Sequence, residues 1–341
     1  MTFKTCTKVN IGLNVLRRRP DGYHDLETLF VPYWGLGDEL SVEPAEELSI
    51  DIQREGGVDW DPMEDLTVRA WRLLKADFPS LPEVSIRLVK GAPVGAGLGG
   101  GSADAAFMLR ALNELGGLCL SDSELAVYAA RLGSDCAFFV GTKNVPTIPL
   151  HPQGTGGVPP ETPLVADAPF SIGPKFATGR GEILEPFDID LSGYDLRVEL
   201  PLDAATGRPV AVSTKEAYSG IVPRDARCMP ATPPMHARVG QVPDSEVVAE
   251  NRLCHYTQSA FSKYQQVNGL RATGGWKLPL REALKLPVEQ WRGVVVNDFE
   301  ATVCPRHPQI SELIEDFYRR GAAYSAMSGS GSAVFGLFPH H

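Results

Sequence analysis

The chain has 341 residues, 43% of them hydrophobic, and a formal net charge of -10. That length suits one large domain or two ordinary ones. The acidic balance excludes a protein built to wrap nucleic acid, which needs a basic face, but leaves small anions free to bind at a local positive site.

Residues 4–33, KTCTKVNIGLNVLRRRPDGYHDLETLFVPY, predict two strands joined by a turn at Pro20-Asp21-Gly22. DELSVEP, LSIDIQ and VSIRLV add short strands, and EDLTVRAWRLLKADF predicts a helix. A second, alanine-rich helix follows Ser102 and stops at Gly116-Gly117. A third, SDSELAVYAARLG, carries a capping box from Ser121 to Glu124 and a closing Gly133. Residues 144–174 and 223–279 are dense in proline and glycine with little periodicity and read as insertions. Beyond them VVVNDFE is a strand or a helix start. HPQISELIEDFYRRG is a helix with Pro308 in its first turn, and SAMSGSGSAVFGLF is a glycine-rich turn leading into a strand. Strands and helices cluster rather than alternate, which points to the α+β class.

The six cysteines (Cys6, Cys119, Cys136, Cys228, Cys254, Cys304) form no CxxC pair and no close group with histidines, so a reduced chain without structural zinc is expected. No apolar run is long enough for a membrane span, and MTFKTCTKVNIGL lacks the apolar centre of a secretory signal. A cytoplasmic protein with no membrane and no nucleic-acid partner is the expectation.

PVGAGLGGGSADAA, residues 93–106, sets five glycines (Gly95, Gly97, Gly99, Gly100, Gly101) just ahead of a helix. Such bare backbone suits positive φ or the close approach of another group. Gly95, Gly97 and Gly100 satisfy G-x-G-x-x-G, but KGAPV separates them from the preceding strand, against the dinucleotide fingerprint. The P-loop pattern needs Lys before Ser or Thr, and Gly101-Ser102 has none. What both share remains possible here: amides of a glycine turn and a helix N-terminus gathered on a phosphate, with Ser102 at the N-cap and able to reach a metal or phosphate. A tight turn with an ordinary serine cap is the alternative.

The same stretch resembles the P-x-x-x-G-L-G-[GS]-S-[AS] motif of the GHMP kinase superfamily. TKVNIGLNVLRRRPDGYHDLETLF is similar to the N-terminal signature of its cytidine-diphosphomethylerythritol branch, and RLGSDCAFFV, FATGRGE, VSTKEAY and MSGSGSAVFGLF follow in the family's order. The resemblance implies a GHMP kinase fold, with an S5-domain-2-like nucleotide-binding domain over 1–190 and a ferredoxin-like domain over 191–341. It implies transfer of the γ-phosphoryl of ATP, with Mg2+, to the C2 hydroxyl of 4-(cytidine 5'-diphospho)-2-C-methyl-D-erythritol, by a monomer or weak homodimer.

By the same resemblance Asp135 matches the catalytic base and Lys8 the lysine that pairs with it. ATP falls to Asp65, Lys90, Pro93, Gly95, Gly97, Leu98, Gly99, Gly100, Gly101 and Ser102, joined by Gly329 and Gly331 of the third motif. The substrate falls to Asn10, His24 and Thr214, with Tyr23 and Tyr218 sandwiching the cytosine. The metal ligands are left open. Without the resemblance, Asp135 is a cap for the helix starting at Cys136, Lys8 a solvated strand residue, and Arg17, Arg18 and Arg19 a solvated turn rather than a diphosphate clamp.

The chain departs from the family pattern at Asp65, where asparagine is expected near adenine, and in its two long inserts. A homoserine- or mevalonate-type kinase is an alternative that Tyr23, His24 and Tyr218 oppose. A GHMP-fold binding protein without catalysis is another, opposed by the presence of both Lys8 and Asp135.

Overall fold

The computed structural model describes residues 1–141, 171–227 and 278–340. Met1–Arg224 and Leu278–His341 form one compact unit, and Asp225–Lys277 a second that is described only to residue 227. The expected insertions at 144–174 and 223–279 therefore lie mostly outside the described residues.

In chain order the main elements are β1 (Thr2–Lys4), β2 (Thr7–Arg18), β3 (His24–Tyr33), β4 (Glu39–Ala45) and β5 (Ser49–Gln53), then α1 (Leu66–Asp77), β6 (Glu83–Val89) and α2 (Gly100–Leu115). After these come α3 (Asp122–Leu132), α4 (Cys136–Phe139), β7 (Lys175–Thr178), β8 (Ile183–Pro186), β9 (Tyr194–Glu199) and α5 (Thr214–Tyr218). The described chain closes with α6 (Pro308–Arg319), β10 (Tyr324–Met327) and β11 (Val334–Pro339). Among the described residues three sheets result, ordered β1-β4-β6-β5, β2-β3-β7-β8 and β10-β11-β9, and every pairing there is antiparallel except β5 with β6.

One core lies between the first sheet and helices α1 to α4. Leu40, Val42, Ile86 and Leu88 of the sheet meet Val68, Trp71 and Leu74 of α1 and Phe107, Met108 and Leu112 of α2. The alanines of α2 let it pack closely on every side, which is why the alanine-rich stretch is so deeply buried. Two further cores flank the third sheet. Phe335 and Leu337 of β11 join Val9, Ile11 and Leu29, whereas Val334 and Phe338 on its other face join Ile310 and Phe317 of α6. A strand covered on both faces reads as a continuous apolar run, as VFGLF does.

One expectation changes at a helix end. Helix α2 begins at Gly100, with Gly99 as N-cap at φ 72° and no side-chain cap, so Ser102 lies inside the first turn rather than at the cap. Only a residue without Cβ enters a helix comfortably from that left-handed conformation. Residues 294–300, expected as a strand or a helix start, make an isolated bridge at Asn297 with Leu13 and run into a single helical turn, Glu300–Val303.

Candidate active site

Strand β2 fixes the site's floor. Side chains alternate along a strand, so Val9 and Ile11 enter the core while Lys8 and Asn10 share the opposite face. Gly12, at φ 67°, bulges the strand beyond them. The glycine-rich loop runs over this floor and is tied to it where the Lys8 amide donates to the Leu98 carbonyl at 2.9 Å. Gly95, Gly97 and Gly99 all hold positive φ (73°, 77° and 72°). A Cβ on Gly97 would run into the Ser328 carbonyl oxygen and come within 3.0 Å of the Gly331 amide nitrogen, so the C-terminal glycine turn, with Gly329 and Gly331 also at positive φ, interlocks with the loop.

Lys8 is 3% exposed, and its ammonium donates to the Gly97 carbonyl at 2.9 Å and to Asn10 Oδ1, and lies 3.5 Å from Asp135 Oδ2. Burial pulls the Lys8 ammonium below its ordinary value, while the Asp135 carboxylate opposes that fall. Asp135 is the N-cap residue of α4, yet its side chain makes no capping bond; it is 29% exposed and lines the cleft. The helix-cap alternative therefore does not hold. Asn10 Nδ2 donates to Thr28 Oγ1 at 3.0 Å and the Thr28 hydroxyl donates to the Gly12 carbonyl at 2.6 Å, so the amide's orientation is set from behind.

These groups line a cleft of about 340 Å3 that also takes in Gly95, Gly99, Gly329, Thr214 and Tyr218. At its far end the Tyr218 ring packs edge-on against Phe299, with centroids 4.7 Å apart, and face to face with His24 at 4.8 Å and 22°. Burial and the nearby Arg18 charge lower the His24 imidazole, which favours its neutral form. Burial raises the Tyr218 phenol, with the Asp135 charge adding to it.

Several expected site residues stand elsewhere. Tyr23 does not face Tyr218: it is 57% exposed, with the Arg180 guanidinium 4.8 Å over its ring. Lys90 turns away from the cleft into a buried cluster, bonded to Asp38 Oδ2 and, at 2.7 Å, to Asp104 Oδ2. A buried ammonium needs such partners, and Lys90 does not line the cleft. Asp65 is the N-cap of α1, its Oδ1 accepting from the Thr67 amide at 2.9 Å and the Thr67 hydroxyl at 2.7 Å, while Oδ2 accepts from Trp60 Nε1 at 3.3 Å. That carboxylate is already spent on the helix end. Leu98 buries its side chain in the core and offers only backbone, Gly100 is buried against Ala92, and Ser102 contacts the Cys136 thiol beside Asp135. Pro93 and Gly101 lie at the loop's ends outside the cleft lining. Arg17 and Arg19 pair with Asp25 and Asp21, as a hairpin turn does.

Three contributors escaped the sequence reading. Asn297 Nδ2 donates to the Met327 and Gly329 carbonyls, both at 2.8 Å, and holds the second glycine turn. Ser328 Oγ accepts from the Asn10 amide at 3.2 Å. Arg180 lines the cleft at the β7–β8 turn, whose Gly181 would place a Cβ 3.8 Å from Asp135 Oδ1. The glycines of FATGRGE were the available signal for a tight turn, but nothing local says that the turn abuts Asp135.

Comparison with known proteins identifies the family. The GHMP kinases N terminal domain matches residues 65–143, and the GHMP kinases C terminal domain matches residues 291–341. The 4-diphosphocytidyl-2-C-methyl-D-erythritol kinase of Bacteroides thetaiotaomicron is 35% identical over 334 residues, covering 97% of this chain and 89% of that one. Its namesake in Oleidesulfovibrio alaskensis is 31% identical over 349 residues, covering 99% and 90%. A crystal structure of 4-(cytidine 5'-diphospho)-2C-methyl-D-erythritol kinase superposes with a TM-score of 0.60 at 27% identity, over 99% of this chain and 90% of that one. Mevalonate pyrophosphate decarboxylase from Streptococcus pyogenes, at TM-score 0.55 and 12% identity over 100% and 89%, shares the fold alone.

Proposed function

The chain belongs to the 4-diphosphocytidyl-2-C-methyl-D-erythritol kinases of the GHMP kinase family, and we propose that Asp135 and Lys8 carry its phosphoryl transfer. It is a kinase acting on that cytidine substrate, with ATP as the donor that GHMP kinases use. The observation that carries the catalytic reading is the Lys8–Asp135 pair, 3.5 Å apart where the glycine loop meets the open cleft.

The acceptor is the C2 hydroxyl of the methylerythritol part, a hindered tertiary alcohol. Asp135 accepts its proton as the oxygen attacks, and the Lys8 ammonium, 3.5 Å from Asp135 Oδ2, orients that carboxylate. Phosphoryl transfer is mostly positioning and charge stabilisation. Amides of the glycine loop and the N-terminus of α2 cradle the triphosphate, and Lys8, pinned between Gly97 and Asn10, presents fixed positive charge to the moving phosphoryl group. Magnesium fits as an ion that travels with the triphosphate. Among the described residues no three His, Cys, Asp or Glu side chains converge to cage a metal. Magnesium keeps several waters and takes few protein oxygens, so when bound it would be held mainly by the triphosphate and would supply neutralisation of phosphate charge.

The cytidine end lies against Tyr218. With His24 only 4.8 Å away there is no space for a base between the two rings, so the pyrimidine takes the face that His24 covers and the imidazole moves to its edge. Arg180, between the exposed Tyr23 ring and the Asp135 end, meets the diphosphate that joins base to acceptor. We place the boundary between the nucleotide-binding and C-terminal halves near residue 190. Among the described residues no helix is long and apolar enough to cross a membrane.

The test is turnover of ATP with cytidine-diphosphomethylerythritol, homoserine and mevalonate side by side, with the product's phosphate located by phosphorus NMR. Rapid turnover of the cytidine substrate alone, with phosphate on C2, is expected. Faster turnover of either other acceptor overturns the reading.

A further inference from the structure

Helix α5, Thr214–Tyr218, has five residues, far below the length at which a helix is stable by itself, so its position must come from tertiary bonds. At its start Ser213 Oγ accepts from the Glu216 amide at 3.1 Å. At its end the partners come from one distant segment. Thr302 Oγ1 donates to the Ala217 carbonyl at 2.7 Å, and Arg306 donates through Nη1 to the Glu216 carbonyl at 3.1 Å and through Nη2 to the Ser219 carbonyl at 2.7 Å. His307 Nε2 meets Glu216 Oε1 at 2.8 Å, and Phe299 supplies the edge on which the Tyr218 ring rests. A guanidinium at a helix C-terminus also suits the helix dipole.

The geometry points to Thr302 and Arg306 as positioning residues for substrate recognition: by holding the carbonyls of Glu216, Ala217 and Ser219 they fix the helix that carries Tyr218 and so set where the pyrimidine is read. Neither residue lines the cleft. The same segment reaches the phosphate side, because Asn297 bonds the Met327 and Gly329 carbonyls. Residues 297–307 thus form a strut between the second glycine turn and the base-reading ring, and the distance between the two ends of the cleft is set along it. This role rests on the reading of Tyr218 as the stacking ring.

Steady-state kinetics with each substrate varied in turn test it. Arg306→Met removes both guanidinium bonds and keeps most of the side chain's length. It is expected to raise KM for the cytidine substrate about tenfold, with KM for ATP and kcat within about twofold of the parent. Arg306→Lys, which keeps the charge but not the fork, should fall between parent and Arg306→Met. Thr302→Val should raise the same KM by a smaller factor, and it decides the matter if Arg306→Met does not fold. Tyr218→Ala is the control. If Tyr218→Ala raises KM for the cytidine substrate and Arg306→Met and Thr302→Val do not, the positioning role is overturned and the base reading stands. An equal rise in KM for both substrates in the Arg306 and Thr302 variants also overturns it, as general loosening. If Tyr218→Ala leaves KM for the cytidine substrate unchanged, the base reading falls and the positioning role falls with it.

Discussion

The two ends of the cleft are built from different materials. At the proposed phosphate end the wall is backbone, residues 95–99 and 329–331, with glycines at positive φ beside the buried Lys8. That end is interlocked: the loop bonds to β2 through Lys8 and Leu98, to Ala333 through Ala96 and to α2 through Gly99, and a Cβ on Gly97 would meet Ser328 and Gly331. At the proposed cytidine end the groups are side chains: Tyr218 on a one-turn helix and Arg180 at a hairpin tip line the cleft, and His24 at a strand end stacks on Tyr218. The contrast suits the two ligands. A triphosphate is recognised the same way whatever base it bears, so a rigid backbone cradle serves; a base must be told from other bases, which takes side chains that can shift.

The largest expected effect tests the interlock. Gly97→Val puts a branched side chain where the Ser328 carbonyl already lies and demands positive φ of a β-branched residue, so ATP and ADP binding should both be lost by calorimetry. Near-parental nucleotide affinity in a folded Gly97→Val protein would show that the cradle is looser than described.

Next comes the chemistry where the two ends meet. Asp135→Asn keeps the shape but removes the proton acceptor, and loss of a general base costs about 10²–10⁴ in rate. The fall should appear in kcat, with KM for both substrates little changed. Turnover within a few-fold of the parent would remove Asp135 from the proton's path.

Arg180→Met then sharpens the cytidine side. Loss of a charge-assisted contact to the diphosphate should weaken the cytidine substrate about tenfold. Binding of cytidine itself, which has no phosphate, should stay at the parental level. Equal weakening of both would assign Arg180 to the base instead.

The smallest effect concerns Asp65. Because its carboxylate caps α1, Asp65→Asn should cap nearly as well and shift ATP affinity by less than about twofold. Clear tightening of ATP in calorimetry would return the residue to the adenine pocket.

The legibility of the site follows the same division. The glycine loop, the second glycine turn and the hairpin were readable because positive φ is a demand made on single residues, and glycine answers it locally. The capping box of α3, from Ser121 to Glu124, was readable for the same reason. Lys90 was misplaced because a lysine beside a phosphate loop and a lysine in a buried triad look alike along the chain. Its partner Asp38 lies 52 residues away, and only the packing of β4, β6 and α2 brings the two together. Asp65 was locally legible as a cap, since Thr67 stands two residues on, but the family pattern drew attention to adenine instead.

By itself the sequence determined most strands of the N-terminal half, helices α1, α2, α3 and α6, the last strand, the glycine turns, and the family to which these motifs correspond. Each depends on period, on φ, or on residues adjacent in the chain. The tertiary structure alone decided that Lys90 turns into a buried cluster with Asp38 and Asp104, that His24 rather than Tyr23 covers Tyr218, and that residues 297–307 bond both α5 and the second glycine turn. Those choices turn on which buried polar group finds which partner, and that is settled only when segments far apart in the chain are packed together and every desolvated donor must be satisfied.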